Sequence, residues 1–281
     1  MILILRPYIA LLRLDKPIGI FLLLWPTLIA LWLAAQGNPA PQTVAIFVGG
    51  VILMRSAGCV INDYADRDFD LHVTRTMQRP ITSGKIRART ALKIFIFLLL
   101  LALFLVSHLS IFTILLSCVA AILATMYPFA KRFTNYPQFI LGSAFAWSIP
   151  MVYAQLQRQL TMETLILFAS IMAWVVAYDT QYAMADKTDD LKIGIKSTAI
   201  AFGVYDKIIV FVLQLCCLLG LYSIGVANNL SWPFYFGLII ALLLIVYQQW
   251  LIKDRLPQRC MAAFLNNNYF GLVIFLGLIF S

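Results

Sequence analysis

VAIFVGGVILMRSAGCVINDYADRDFD, residues 44–70, runs from an apolar stretch straight into a dense group of carboxylates. The apolar part, 44–62, approaches the roughly twenty residues that a helix needs to cross about 30 Å of hydrocarbon. Asn62, Asp63, Asp66, Asp68 and Asp70 then follow within nine positions. The reading of the chain turns on whether this junction is a solvated loop or the mouth of a membrane site.

The apolar part is one of many. Mean hydropathy is +0.90 and only 12% of residues are charged, outside the range of soluble domains. Nine apolar runs recur, at roughly 18–35, 44–62, 91–107, 110–127, 137–156, 163–181, 207–226, 232–252 and 266–280. Backbone polar groups in lipid must pair within their own segment, so each run is expected to be a helix. The expected class is an all-α membrane protein, with residues 1–281 as one polytopic domain. Basic residues precede the first run, as in a signal peptide, but its length and the eight further runs favour a retained helix. The leader MILILRPYIALLRL mixes apolar and basic residues, as in a helix lying on the membrane surface.

The net charge of +9 is topological rather than a nucleic-acid signal. With nine spans, 19 of the 21 Lys and Arg fall on one side; Arg158 lies opposite and Arg55 inside a span. The positive-inside rule puts that side, and the N-terminus, in the cytoplasm, and the C-terminus outside. For a chain of bacterial type the host is the inner (cytoplasmic) membrane. The five cysteines and two histidines form no C-x-x-C or Cys/His pairing, so neither a zinc nor a disulfide framework is expected.

Eight of the twelve acidic residues form two clusters: Asp63, Asp66, Asp68 and Asp70, then Asp179, Asp186, Asp189 and Asp190. They follow the second and sixth runs, a spacing that suggests related four-helix halves, 1–134 and 135–252, plus a ninth helix. At helical periodicity Asn62, Asp66 and Asp70 share a stripe, Asp63 borders it and Asp68 points away. Asp179, Tyr182, Ala183, Asp186 and Asp190 share another. Like charges four apart repel on a helix, so such stripes call for a cation. Oxygen-only donors select a hard ion, Mg²⁺ before Ca²⁺, which keeps coordination positions for water or phosphate. Arg67, Arg75, Arg79, Lys85, Lys131, Arg132, Lys187 and Lys192 lie in the neighbouring loops and suit that phosphate. The competing view, ordinary solvated loop charges, accounts poorly for two thirds of all acids falling in two clusters.

At these residues the chain resembles the UbiA superfamily of intramembrane aromatic prenyltransferases. Asn62-Asp63-Tyr64-Ala65-Asp66-Arg67-Asp68-Phe69-Asp70 is similar to the family's N-D-x-x-D-x-x-x-D motif, and Asp186-Lys187-Thr188-Asp189-Asp190 to its D-x-x-x-D motif. Tyr127 and Lys131 match a Y-x-x-x-K element, and RLDKPIGIFLLLWPT and VTRTMQRPITSGKI resemble segments of the branch acting on 4-hydroxybenzoate. The resemblance spans about residues 11 to 203. It implies nine transmembrane helices around a central cavity with the active site on the cytoplasmic side. It implies transfer of a polyprenyl chain from polyprenyl diphosphate to the carbon beside the hydroxyl of 4-hydroxybenzoate, releasing diphosphate, in ubiquinone biosynthesis. Catalysis would rest on Asp63, Asp66, Asp186 and Asp190, and Mg²⁺ on Asn62, Asp66, Asp70, Asp186 and Asp190. Substrates would meet Arg67, Tyr127, Lys131, Arg132, Asp179, Tyr182 and Lys187. The expected partners are these two substrates and membrane lipid, with no nucleic acid.

Arg55 stands apart, seven residues before Asn62 and within a span. An intramembrane arginine usually faces a cavity or a partner, and here the benzoate carboxylate is the natural one. The alternative is snorkelling to the interface, about 10 Å away along the helix. Rival functions are other acceptors of the superfamily (haem, menaquinone, chlorophyll) or a cation-coupled transporter. A transporter would hold its acids near the midplane rather than at one end among basic residues. The Asp-Gly…Ala-Arg pattern of CDP-alcohol phosphotransferases is missing from both clusters.

Overall fold

A computed structural model describes residues 2–72 and 76–281. Among them every regular element is helical. A short N-terminal helix, α1 (Ile2–Leu11), leads into α2 (Ile18–Ala34), α3 (Pro41–Asp66), α4 (Ala88–Val106) and α5 (Ile111–Ala130). Then come α6 (Pro137–Ala146), α7 (Ser148–Leu156), α8 (Met162–Ile193) and a single turn, α9 (Thr198–Ala201). The chain ends with α10 (Asp206–Ala227), α11 (Trp232–Ile252) and α12 (Pro257–Ile279).

Local chemistry sets these boundaries. Pro41, Pro233 and Pro257 occupy the first turns of α3, α11 and α12, where a missing N–H costs nothing. The Ser110 hydroxyl accepts from the Thr113 N–H to start α5, and Thr161 and Thr164 form a capping box at α8. Gly194 ends α8 with φ +72°, the left-handed conformation that glycine adopts most easily. The run expected at 137–156 is divided at Trp147 into α6 and α7. Pro150 explains the division, because it has no N–H for the carbonyl of Ala146 and its ring crowds that carbonyl.

Eight helical segments among the described residues are long and apolar enough to cross a membrane, with α6 and α7 taken together. α2 is apolar but only 17 residues long. Contacts α2–α3, α3–α5, α5–α6, α6–α8, α8–α12 and α12–α2 close a ring. The last helix is thus part of the wall. α4 packs against α3, α10 against α8 and α11 against α12. Large apolar side chains such as Phe97, Phe104, Ile111, Leu219 and Trp232 cover the outer surface.

Two helices outrun their apolar stretches. α3 continues helical through Asp66, and the 32 residues of α8 reach about 48 Å, well beyond the hydrocarbon core. The second acidic cluster therefore lies on helix throughout, and the first does so for Asp63 and Asp66. Carboxylates near a helix C-terminus oppose the macrodipole, so those on α3 need compensation, which the site supplies. The opposite face of α8 is held by a buried amide network. Gln181 donates to Gln248 (3.1 Å), Gln214 to Gln248 (2.6 Å), Asn267 to Gln181 (2.8 Å) and the Trp174 indole to Asn267 (2.8 Å). Such interhelical bonds fix register where lipid offers no hydrophobic driving force between helices.

Candidate active site

The ring encloses a cavity of about 1150 Å³ lined mainly from α2, α3, α5, α6, α8 and α12, with Leu99, Ala102, Leu103, Leu105 and Val106 of α4 lining it as well. Asn62, Asp63, Asp66 and Asp70 line it from the α3 side, and Asp179, Asp186 and Asp190 from α8, with Tyr127, Tyr178 and Tyr182 between. Two acidic groups more than a hundred residues apart in sequence thus share one chamber. Asp70 reaches it from a single 3₁₀ turn, Asp70–His72, rather than from α3 itself. Asp68 points to solvent with its side chain 76% exposed, and Asp189 pairs with Lys192 at 3.3 Å; neither lines the cavity.

The protein's own cations hold the α3 carboxylates. Asp63 accepts from Arg13 at 2.8 and 3.0 Å and pairs with Arg79 at 3.2 Å. Asp70 accepts from Arg79 at 2.8 Å, and Lys131 at the end of α5 donates to Asp66 Oδ2. Burial disfavours the Arg79 charge, but the facing carboxylates of Asp63 and Asp70 outweigh it and hold its pKa above the ordinary arginine range. The other Asp66 oxygen, Oδ1, is buried with no hydrogen-bond partner. An orphaned carboxylate oxygen is costly unless something else occupies it. The oxygen-only donors around it match a hard divalent cation in kind. Among the described residues, however, no three acidic, His or Cys side chains are gathered into a ready metal cage.

At the other end of the polar region stands Arg55. Its Nε is buried without a partner, and its Cζ lies 5.7 Å from the Phe145 ring centroid. The Tyr178 hydroxyl is likewise buried and unpartnered, and Gly19, Arg55, Phe145 and Tyr178 all line the cavity. Together they offer a planar cation and a hydroxyl beside aromatic faces, which suits a small aromatic carboxylate.

The profile of the UbiA prenyltransferase family matches residues 23–275. The chain belongs to that family. It is 54% identical over 271 residues to the 4-hydroxybenzoate octaprenyltransferase of Enterobacter sp. (strain 638), covering 96% of this chain and 94% of that protein. The 4-hydroxybenzoate octaprenyltransferase of Salmonella paratyphi B matches at the same identity, over 96% of this chain and 93% of that protein. Among solved structures, the apo UbiA homologue of Aeropyrum pernix K1 superposes with a TM-score of 0.81 at 20% identity, over 93% of this chain and 97% of that one. The UbiA homologue of Archaeoglobus fulgidus bound to GPP and Mg²⁺ superposes at 0.74 and 17% identity, over 98% of this chain and 100% of that one. The chain is a multi-pass integral membrane protein of the UbiA fold.

Within that fold, several basic residues near the motifs do not reach the cavity. Arg67 lies 4.7 Å over the ring of Tyr64, three positions earlier, and donates to the Tyr64 carbonyl at 2.8 Å. Arg132 donates to the Ala65 carbonyl and sits between the rings of Phe69 and Phe129, at 5.3 and 5.5 Å. Lys187 pairs with Asp206 at 3.4 Å, a carboxylate that Arg255 also holds at 2.7 Å. The reason is helical: each follows a cavity-facing residue by one position, a rotation of about 100°. Lys85 and Lys192 are exposed, and Arg75 lies outside the described residues.

Conversely, Arg13, Lys16 and Lys196, which the acidic motifs do not include, line the cavity. Arg13 and Lys16 fall within RLDKPIGIFLLLWPT, so the family-like segment held a signal. Its distance in sequence from the acidic motifs concealed the contact.

Proposed function

We propose that this chain transfers a polyprenyl group from polyprenyl diphosphate to the ring carbon ortho to the hydroxyl of 4-hydroxybenzoate, releasing diphosphate and the displaced ring proton, a step of ubiquinone biosynthesis. The observation that carries this reading is the single cavity that joins both acidic stripes to Arg55. The 54% identity with the 4-hydroxybenzoate octaprenyltransferases, over nearly the whole chain, selects the acceptor.

Asn62, Asp66, Asp70, Asp186 and Asp190 would hold Mg²⁺, with the orphaned Oδ1 of Asp66 the most exposed to that demand. When bound, Mg²⁺ neutralises the diphosphate and makes it a better leaving group. Arg79 and Lys131, charged and already at the cavity wall, donate to the diphosphate oxygens as negative charge develops there. Arg55 takes the acceptor carboxylate, with the Tyr178 hydroxyl beside it, and so aims the phenol ring along the cavity. Tyr127, Tyr182, Phe145 and Phe264 line the path and exclude water from an allylic cation, which their π faces stabilise. Asp179 lines the same cavity as Arg55 and Tyr178, next to the acceptor end.

In the membrane, α2 to α12 make nine crossings, α2 spanning about 26 Å. The acidic end of the cavity faces the cytoplasm, and Ser281 the outside. The test is incubation of membranes bearing the protein with 4-hydroxybenzoate, labelled polyprenyl diphosphate and Mg²⁺. Prenylated 4-hydroxybenzoate is expected, lost on adding EDTA and regained with excess Mg²⁺. Absence of that product, with activity on a different acceptor, would contradict the reading.

A further inference from the structure

Asp63 and Asp66 belong to one motif yet stand in different situations. Asp66 has one oxygen on Lys131 and the other buried and unpartnered. Both oxygens of Asp63 are taken by Arg13, with Arg79 alongside, and the carboxylate is only 1% exposed. Although it lines the cavity, both of its oxygens are already engaged by the protein's own cations.

Arg13 is equally committed. Its Nη1 donates to the Ala10 carbonyl at 2.6 Å while Nη2 spans the Asp63 carboxylate. A guanidinium has five N–H donors, so several remain for a ligand. The side chain is 23% exposed and lines the cavity. The backbone departs from ordinary geometry to achieve this: Arg13 has φ +56°, a left-handed conformation unfavourable for a residue with a β-carbon. That turn brings the end of α1 back over α3, where Ser56 also bonds the Leu12 carbonyl at 3.4 Å.

We propose that Arg13 is a further diphosphate-binding residue and that Asp63 is its positioning residue, holding Arg13 and Arg79 side by side rather than serving as a metal ligand. The proposal rests on the reading of the cavity as a metal–diphosphate site and divides the labour within the first motif. Asp66 faces the metal. Asp63 faces the cations that receive the phosphate oxygens, and a bidentate guanidinium suits those oxygens better than an ammonium does.

The test uses the full-length protein in nanodiscs, with Mn²⁺ binding followed by EPR and pyrophosphate binding by calorimetry at saturating Mn²⁺. Asp63→Asn and Arg13→Ala should leave Mn²⁺ affinity without pyrophosphate within about twofold of the parent. Both should weaken pyrophosphate at least tenfold and leave KM for 4-hydroxybenzoate unchanged. Arg13→Lys, which keeps the charge but loses the two-oxygen grip, should recover part of the loss. Asp66→Asn should instead lose Mn²⁺ affinity directly. Equal loss of Mn²⁺ affinity in Asp63→Asn and Asp66→Asn would overturn the division. Unchanged pyrophosphate affinity in Arg13→Ala would make Arg13 a tie between α1 and α3. The Arg13 variants keep the acidic motif intact, so they decide the matter even if Asp63→Asn does not fold. Absence of Mn²⁺-dependent pyrophosphate binding in the parent would instead sink the underlying reading of the cavity.

Discussion

The guanidinium of Arg55 occupies the space that a side chain on Gly19 would fill. A β-carbon at position 19 would lie 2.7 Å from Arg55 Cζ and closer still to Nε and Nη2. Glycine at this point of α2 lets a charged group of α3 lie against bare backbone, with its Nε unpartnered at the cavity wall. Gly19→Ala should therefore displace the guanidinium. KM for 4-hydroxybenzoate should rise at least about tenfold, about 1.4 kcal/mol, and KM for polyprenyl diphosphate should not move. Steady-state kinetics with each substrate varied in turn checks this, and an unchanged acceptor KM would remove Arg55 from the acceptor site.

Arg55→Ala should go further. Losing a charged hydrogen-bond partner inside a desolvated cavity costs about 2–4 kcal/mol, or about 30- to 1,000-fold in acceptor KM. The same kinetic measurement reads it. A comparable rise in KM for the diphosphate substrate would show that Arg55 serves the other end of the cavity.

Lys131 and Arg132 are adjacent but face different surroundings. Lys131 holds Asp66 at the cavity, whereas Arg132 is spent on a backbone carbonyl and two aromatic rings. Lys131→Ala should lower kcat/KM for the diphosphate substrate at least about 30-fold, corresponding to about 2 kcal/mol of a charged hydrogen bond. Arg132→Ala should stay within about threefold. Equal losses in both variants would show that the pair acts as general positive charge rather than through position.

Asp206 offers a stability test away from the chemistry. Its carboxylate is inaccessible to solvent and carries both Lys187 and Arg255. Asp206→Asn preserves the volume but leaves two cations without their partner, and should cost about 2–3 kcal/mol. Thermal melts in detergent should show a clear fall in midpoint, with both substrate KM values unchanged. A change in KM for polyprenyl diphosphate would bring Lys187 back toward the site.

Much of the fold was legible because lipid leaves the backbone few choices. Nine apolar runs became α2 to α12, within a few residues at most boundaries. The ends of α3 and α8 were less legible. A hydropathy window stops at the first charges, whereas the helix continues wherever its carboxylates find cations or the cavity. Periodicity placed Asp179, Tyr182, Asp186 and Asp190 on one stripe of α8, and all four line the cavity. It could not separate Lys131 from Arg132, or reveal that Asp70 follows a break in α3. Arg13 and Gly19 were out of reach for another reason: their partners, Asp63 and Arg55, lie on a different helix.

The central claim is that α3 and α8 hold one metal–diphosphate complex between them, and the most direct measurement is prenyl transfer by Asp66→Asn and Asp190→Asn as Mg²⁺ is varied. Each change keeps the side-chain size and removes one negative charge. Each should lower turnover at least about 100-fold at low Mg²⁺, about 3 kcal/mol of transition-state stabilisation, with partial recovery as Mg²⁺ rises. Asp68→Asn, whose side chain is 76% exposed, should lose little. Near-normal turnover at low Mg²⁺ in both Asp66→Asn and Asp190→Asn would contradict the account.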